Sequence, residues 1–111
     1  MLIMVCGLPG VGKTTVAKML ADETKSFVFS TDTIRKKLIE KPKYTRKEKE
    51  FVYNLLLEMA KKFLLNEKNV IIDGTFYKKD LRKRVRKLAE ETKHDLYIVE
   101  VVCEEKIVKE K

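Results

Sequence analysis

The sequence has no tryptophan, one histidine, two prolines and only two cysteines among its 111 residues. The cysteines, Cys6 and Cys103, stand far apart and outside any C-x-x-C spacing, which excludes a disulfide framework and a structural zinc site. Two buried thiols in a reducing cytosol are the expectation, and with them a cytoplasmic protein. Long apolar runs are missing too. The longest, Met1 to Cys6, falls far short of the ~18 residues of a membrane span. It has no basic leader before it and no small-residue cleavage site after it, so it does not read as a signal peptide. Glycine is scarce, and its distribution is therefore informative: three of the four (Gly7, Gly10, Gly12) fall within six residues. That clustering marks a site.

What is abundant is charge. Charged residues make up 38% of the chain, against ~25% in ordinary proteins, and 25 Lys+Arg against 17 Asp+Glu leave +8. A field of this sign suits an anionic partner such as a nucleotide, a nucleic acid or a phosphorylated metabolite. A Lys/Glu-rich surface of the hyperthermophile kind accounts for the same composition. With 44% hydrophobic residues the chain is not disordered, and its length is that of one domain spanning residues 1–111. A domain of this size buries roughly two-thirds of its unfolded surface, enough for a real core.

Short apolar runs alternate with longer periodic ones. Leu2 to Cys6 is apolar at every position, the pattern of a strand buried on both faces. Thr14 to Glu23 carries Val16, Ala17, Met19 and Leu20 at helical spacing, Phe27 to Phe29 is a second strand, and Asp32 to Glu40 a short helix ended by Pro42. Thr45-Arg46-Lys47-Glu48 has the form of a capping box. The helix behind it aligns Val52, Leu55, Leu56, Met59 and Phe63 and runs to about Asn66. Val70 to Asp73 is a third strand, Lys78 to Thr92 a basic helix with Leu81, Val85 and Leu88 inward, and Leu96 to Cys103 a fourth strand. Glu104 to Lys111 reads as the start of another helix. Strands alternating with helices of this length predict an α/β fold, a parallel sheet between two helical layers. Ligands of such sheets sit beyond the carboxyl ends of the strands, here just after Cys6, Phe29, Asp73 and Cys103.

The segment after the first strand is Gly7-Leu8-Pro9-Gly10-Val11-Gly12-Lys13-Thr14-Thr15, which fits G-x-x-x-x-G-K-[ST]. Glycines let the backbone turn with its N–H groups aimed inward, an anion nest leading into a helix N-terminus. In this pattern Lys13 reaches the β- and γ-phosphates of a nucleotide and the Thr14 hydroxyl ligates Mg²⁺. Residue frequencies put a chance match in a chain this short below ~1%. The motif predicts a three-layer P-loop fold.

Two carboxylates follow other strands. Asp32 opens the helix after the second strand, where it serves either as an N-cap or as the base that takes a proton from an attacking hydroxyl. Arg35, one turn on, is placed to hold an anionic group of the acceptor or simply to pair at the surface. Asp73 ends the third strand, where a carboxylate stands near Mg²⁺ or its waters; a turn Asp before Gly74 is the plainer reading. Thr75 is a weak candidate to position a water.

The three segments GLPGVGKTT, STDTIR and IIDGTFYKKDLR, in that order and spacing, resemble the AAA-type P-loop kinases that include polynucleotide 5′-hydroxyl kinases, zeta toxins and seryl-tRNA kinases. The resemblance covers essentially the whole chain. It implies ATP and Mg²⁺ as cofactors, Asp32 as general base, Arg35 on the acceptor side, Asp73 at the third-strand position and Arg82, nine residues on, as a further site residue. Members of this group continue past the fourth strand into an Arg-bearing lid helix and a fifth strand. By that comparison the fifth strand and lid are expected to be missing, leaving Leu96 to Cys103 as an apolar sheet edge. Such an edge predicts a homodimer or aggregation unless the 104–111 segment folds back over it.

The resulting expectation is an ATP-dependent kinase acting on a hydroxyl-bearing, anionic acceptor, with Lys13, Asp32 and Arg35 as catalytic residues. A nucleotide-binding NTPase or switch, or a catalytically incomplete nucleotide-binding fragment, is the alternative. RNA enters as a partner through charge alone: seven of the ten residues from Lys78 to Lys87 are Lys or Arg. A run of that kind is usually a solvated face, and few aromatics read as exposed for base stacking.

Overall fold

The computed structural model describes residues 1–8, 11–103 and 106–110, with side chains up to residue 102. Its elements are β1 (Leu2–Cys6), α1 (Lys13–Thr24), β2 (Phe27–Ser30), α2 (Thr31–Leu38), α3 (Arg46–Leu65), β3 (Val70–Asp73), α4 (Lys79–Thr92), β4 (Leu96–Cys103) and β5 (Lys106–Glu110). They form one sheet in the order β2-β3-β1-β4-β5. The first four strands are parallel, with Val5 beside Asp73 on one side and Val99 on the other.

The central position of β1 explains its unbroken apolar run. Leu2, Met4 and Cys6 face a core shared with α2, α3 and α4, whereas Ile3 and Val5 face a second core with Val16 and Ala17 of α1. Each face of the strand is covered by a helical layer, so no position can be polar. All of β1 and β3 is buried, including Asp73. β2 is an edge strand: Phe27 and Val28 are partly open to solvent, and the Phe27 and Phe29 rings pack edge-to-face on Phe63 of α3.

Four expectations change. The 106–110 segment is a strand, not a helix, and pairs antiparallel with β4. β4 is therefore bonded on both sides, by β1 and β5, and the proposed homodimer through its open edge loses its basis. A run of Glu and Lys has helical propensity, but hydrogen bonding to a neighbouring strand overrides it, and Ile107-Val108 suits that pairing. Second, α2 begins at Thr31 with Ser30 in the capping position, so Asp32 lies inside the first turn and is not the N-cap. Third, only half of the capping box forms. Thr45 Oγ1 accepts from the Glu48 N–H at 3.3 Å, but the Glu48 carboxylate takes the N–H groups of Lys43 and Tyr44 in the preceding loop. Fourth, the α3 stripe is rotated. Val52 and Leu56 are buried as read, joined by Tyr53, Leu57, Ala60 and Leu64, while Leu55, Met59 and Phe63 are only partly covered. Met19 of α1 is exposed. The expectation of a buried Cys6 holds, and the Cys103 side chain lies outside those described.

Candidate active site

The carboxyl ends of β1, β2 and β3 open into one cleft of about 660 Å³ between the phosphate loop, α2, α3 and the loop leading to α4. Leu8 and Lys13 come from the loop, Asp32 and Arg35 from α2, and Asp73 and Thr75 from the end of β3. Five residues of three separate sequence segments named above as candidates (Lys13, Asp32, Arg35, Asp73, Thr75) thus line one space.

Backbone geometry makes the loop. Gly7 has φ +147, and a Cβ there would stand 2.4 Å from the Val101 carbonyl oxygen, so only glycine lets β1 pass β4 into the turn. Gly12 holds φ 91 at the start of α1. The Lys13 ammonium donates to the Leu8 carbonyl at 3.1 Å, folded over its own loop. Thr14 and Thr15 occupy the exposed first turn of α1, and Val11 packs against the α1 core. Pro9 and Gly10 lie outside the described residues.

Asp73 is 3% exposed, and no hydrogen bond or ion pair joins its carboxylate to another described residue. Burial pushes its pKa up to about 6; the Lys13 ammonium opposes the shift and the Asp32 carboxylate adds to it. A desolvated carboxylate short of donors, with the Thr14 hydroxyl at the start of the adjoining α1, suits a hard cation that takes its other ligands from phosphates and water. Among the described residues no three Asp, Glu, His or Cys side chains cluster into a protein-built metal cage. The donor set therefore fits Mg²⁺ arriving with a nucleotide.

Asp32 and Arg35 differ sharply in environment although they share a helix turn. The Asp32 side chain is 72% exposed to the cleft, and Arg35 is 8% exposed. Arg35 Nη1 lies 3.6 Å from Asp32 Oδ1 and Nε 4.0 Å from Glu48 Oε2, while the Tyr44 ring covers the guanidinium at 4.8 Å. Its buried Nε has no hydrogen-bond partner among the described residues. A buried donor left unpaired is costly, and here it lies against Glu48 rather than open to the cleft.

Arg82 does not line the cleft. Its Nε donates to the Phe76 carbonyl at 2.7 Å and braces the loop after β3 from outside. Sequence reasoning passed over the cleft residues Tyr44, Tyr53, Arg46 and Lys49, and read Lys78 and Arg84 only as part of a basic run for RNA or solvent. Tyr53 had a detectable signal, a hydroxyl inside an otherwise apolar helical stripe. Arg46 and Lys49 had none, since α3 reaches the cleft only in the fold. Among the described residues no helix is long and apolar enough to cross a membrane.

The sequence pattern of the AAA domain family matches residues 2–111. An uncharacterised protein of Mycobacterium tuberculosis is 33% identical over 114 residues, covering 92% of this chain and 22% of that protein. The L-seryl-tRNA(Sec) kinase of Methanococcus maripaludis is 31% identical over 96 residues, 82% of this chain and 36% of that enzyme. The chain thus spans about a fifth to a third of the length of these curated relatives. The crystal structure of Chaetomium thermophilum Kti12 in complex with ADP-AlF3 superposes with a TM-score of 0.74 at 23% identity, covering 92% of this chain and 60% of that one. The shared feature is the P-loop kinase fold.

Proposed function

The chain belongs to the AAA domain family, with P-loop kinases as its relatives, and on that premise we propose that it transfers the γ-phosphate of ATP to a hydroxyl of an anionic acceptor. The observation that carries this reading is the pairing on α2 of an exposed carboxylate, Asp32, with a buried guanidinium, Arg35. Both face the cleft that holds Lys13 and Asp73. An NTPase that uses water has no need of an anion site beside its base.

In this mechanism the acceptor's anionic group docks on Arg35, which sets its hydroxyl beside Asp32. Asp32 takes the hydroxyl proton as the new O–P bond forms. The bond from the γ-phosphorus to its bridging oxygen breaks, and the electron pair leaves on ADP. Lys13 turns from the Leu8 carbonyl to the β- and γ-oxygens and balances their charge. Asp73 and Thr14 would hold Mg²⁺, which supplies charge neutralisation at the same oxygens when bound.

The test is transfer of label from γ-labelled ATP across a panel of tRNA, RNA ends, nucleotides, sugar phosphates and neutral alcohols; the seryl-tRNA kinase relative puts tRNA first. Label on an anionic acceptor is the expected result. Label released only as inorganic phosphate across the whole panel would establish the NTPase reading instead.

A further inference from the structure

The loop that leaves β3 is held with unusual care. Gly74 donates its N–H to the Val5 carbonyl at 3.1 Å, tying the loop to the end of β1. A Cβ on Gly74 would stand 3.0 to 3.1 Å from Phe76, Thr31 and the Tyr53 hydroxyl, so the strand end is packed to contact. Phe76 is fully buried and has φ 45, a left-handed conformation that costs a bulky residue of order 1–3 kcal/mol. Two side chains hold that conformation from opposite directions. The Tyr53 hydroxyl of α3 accepts the Phe76 N–H at 3.4 Å, and the Arg82 guanidinium of α4 donates to the Phe76 carbonyl at 2.7 Å. Between these fixed points sits Thr75, half-buried, lining the cleft beside Asp73, with its Oγ1 3.0 Å from the Tyr53 hydroxyl.

We propose that Thr75 is a phosphate-contacting residue, its hydroxyl proton donated to an oxygen of the terminal phosphoryl group of bound ATP, with Tyr53 and Arg82 as the residues that position it. The placement favours this. Tyr53 oxygen already accepts from Phe76, and either hydroxyl can donate in the Tyr53–Thr75 contact; with Tyr53 as donor, Thr75 Oγ1 accepts. In that arrangement the Thr75 proton stays free for an acceptor in the cleft that Thr75 lines, where Lys13 and Asp73 mark the phosphate end. A donor fixed in advance of binding loses little freedom when the phosphate arrives, which is the benefit of holding Phe76 in a strained conformation. Arg82 thus acts through the loop backbone rather than by touching substrate.

This inference rests on the nucleotide half of the proposed function and is independent of any acceptor. It is tested by calorimetry of the intact chain with Mg-ATP and with Mg-ADP, alongside thermal melts of each variant. Thr75→Val removes the donor at constant shape and should weaken ATP about 10-fold while leaving ADP unchanged, the scale of one hydrogen bond to a charged group. Thr75→Ser should restore it. Tyr53→Phe keeps the buried ring and should lose part of the ATP preference, with no further loss on the Thr75→Val background. Equal weakening of ATP and ADP, unchanged ATP affinity in Thr75→Val, or additive effects of the two substitutions would each overturn the proposal. So would wild-type protein that binds neither nucleotide, which removes the kinase reading as well. Wild-type protein that prefers ATP through Thr75 but labels no acceptor removes the kinase reading alone.

Discussion

Asp73 and Arg35 are two buried charged groups at one cleft; among the described residues the Asp73 carboxylate makes no ion pair, and Arg35 Nε has no hydrogen-bond partner. Such groups destabilise an empty protein and are retained where a ligand satisfies them. Asp73 carries a pH signature. Burial raises its pKa to about 6 in the folded protein, above the ~3.9 of an unfolded chain. The folded state therefore binds this proton more tightly. The stability it contributes is complete below about pH 4 and is lost as pH rises through about 6. Asp73→Asn should accordingly raise the Tm of nucleotide-free protein at pH 8, by about 4 °C if screening leaves ~1 kcal/mol of the effect. Cation binding runs the other way, because it needs the carboxylate. The Mg²⁺-dependent part of ATP affinity should rise between pH 5 and 7 in the wild type and be absent in Asp73→Asn. A flat pH profile together with unchanged Tm would show that Asp73 is an ordinary turn residue.

At the scale of elements, the junction between α2 and α3 joins stability to the acceptor side. Glu48 is the common point: it accepts from Lys43 and Tyr44, faces Arg35 Nε, and its own N–H is capped by Thr45. Tyr44, at φ 55, is held by this contact over the Arg35 guanidinium. Glu48→Ala should cost about 1–2 kcal/mol of stability, the scale of a lost cap and charged hydrogen bonds. It should also raise the KM for an anionic acceptor severalfold while ATP affinity stays constant. Loss of ATP affinity in parallel would place Glu48 in the general scaffold instead.

This junction also shows what local sequence reveals. The Thr45–Glu48 spacing is readable, but the partners of Glu48 depend on how the preceding loop folds back, and the sequence carries no marker for that. β1, the phosphate loop and α4 were legible because each is specified by its own residues: an unbroken apolar run, glycines at fixed offsets, and an inward Leu81-Val85-Leu88 stripe. β5 was not, because its conformation comes from pairing with β4, whereas its Glu/Lys content points to helix. Lys13, Asp32, Arg35, Asp73 and Thr75 were named from motifs, and the fold brings all five to one cleft. Tyr53 was missed, and Arg84 was read only as part of a basic run, because only packing of α3 and α4 carries them there.

For the molecule as a whole, parallel strands ending together bring the three motif segments to one end of the sheet, between two helical layers. A net charge of +8 gives the molecule as a whole a field that draws anionic ligands. The central claim is that this end performs phosphoryl transfer to a hydroxyl with Asp32 as the base. Its most direct measurement follows γ-labelled ATP in wild-type protein and in Asp32→Asn, with ATP affinity measured in both. Asparagine keeps the size of the side chain but is a far poorer proton acceptor. The account predicts equal ATP affinity and a fall of at least ~10²-fold in labelled acceptor, the usual scale of general-base loss. Unchanged transfer in Asp32→Asn would contradict it.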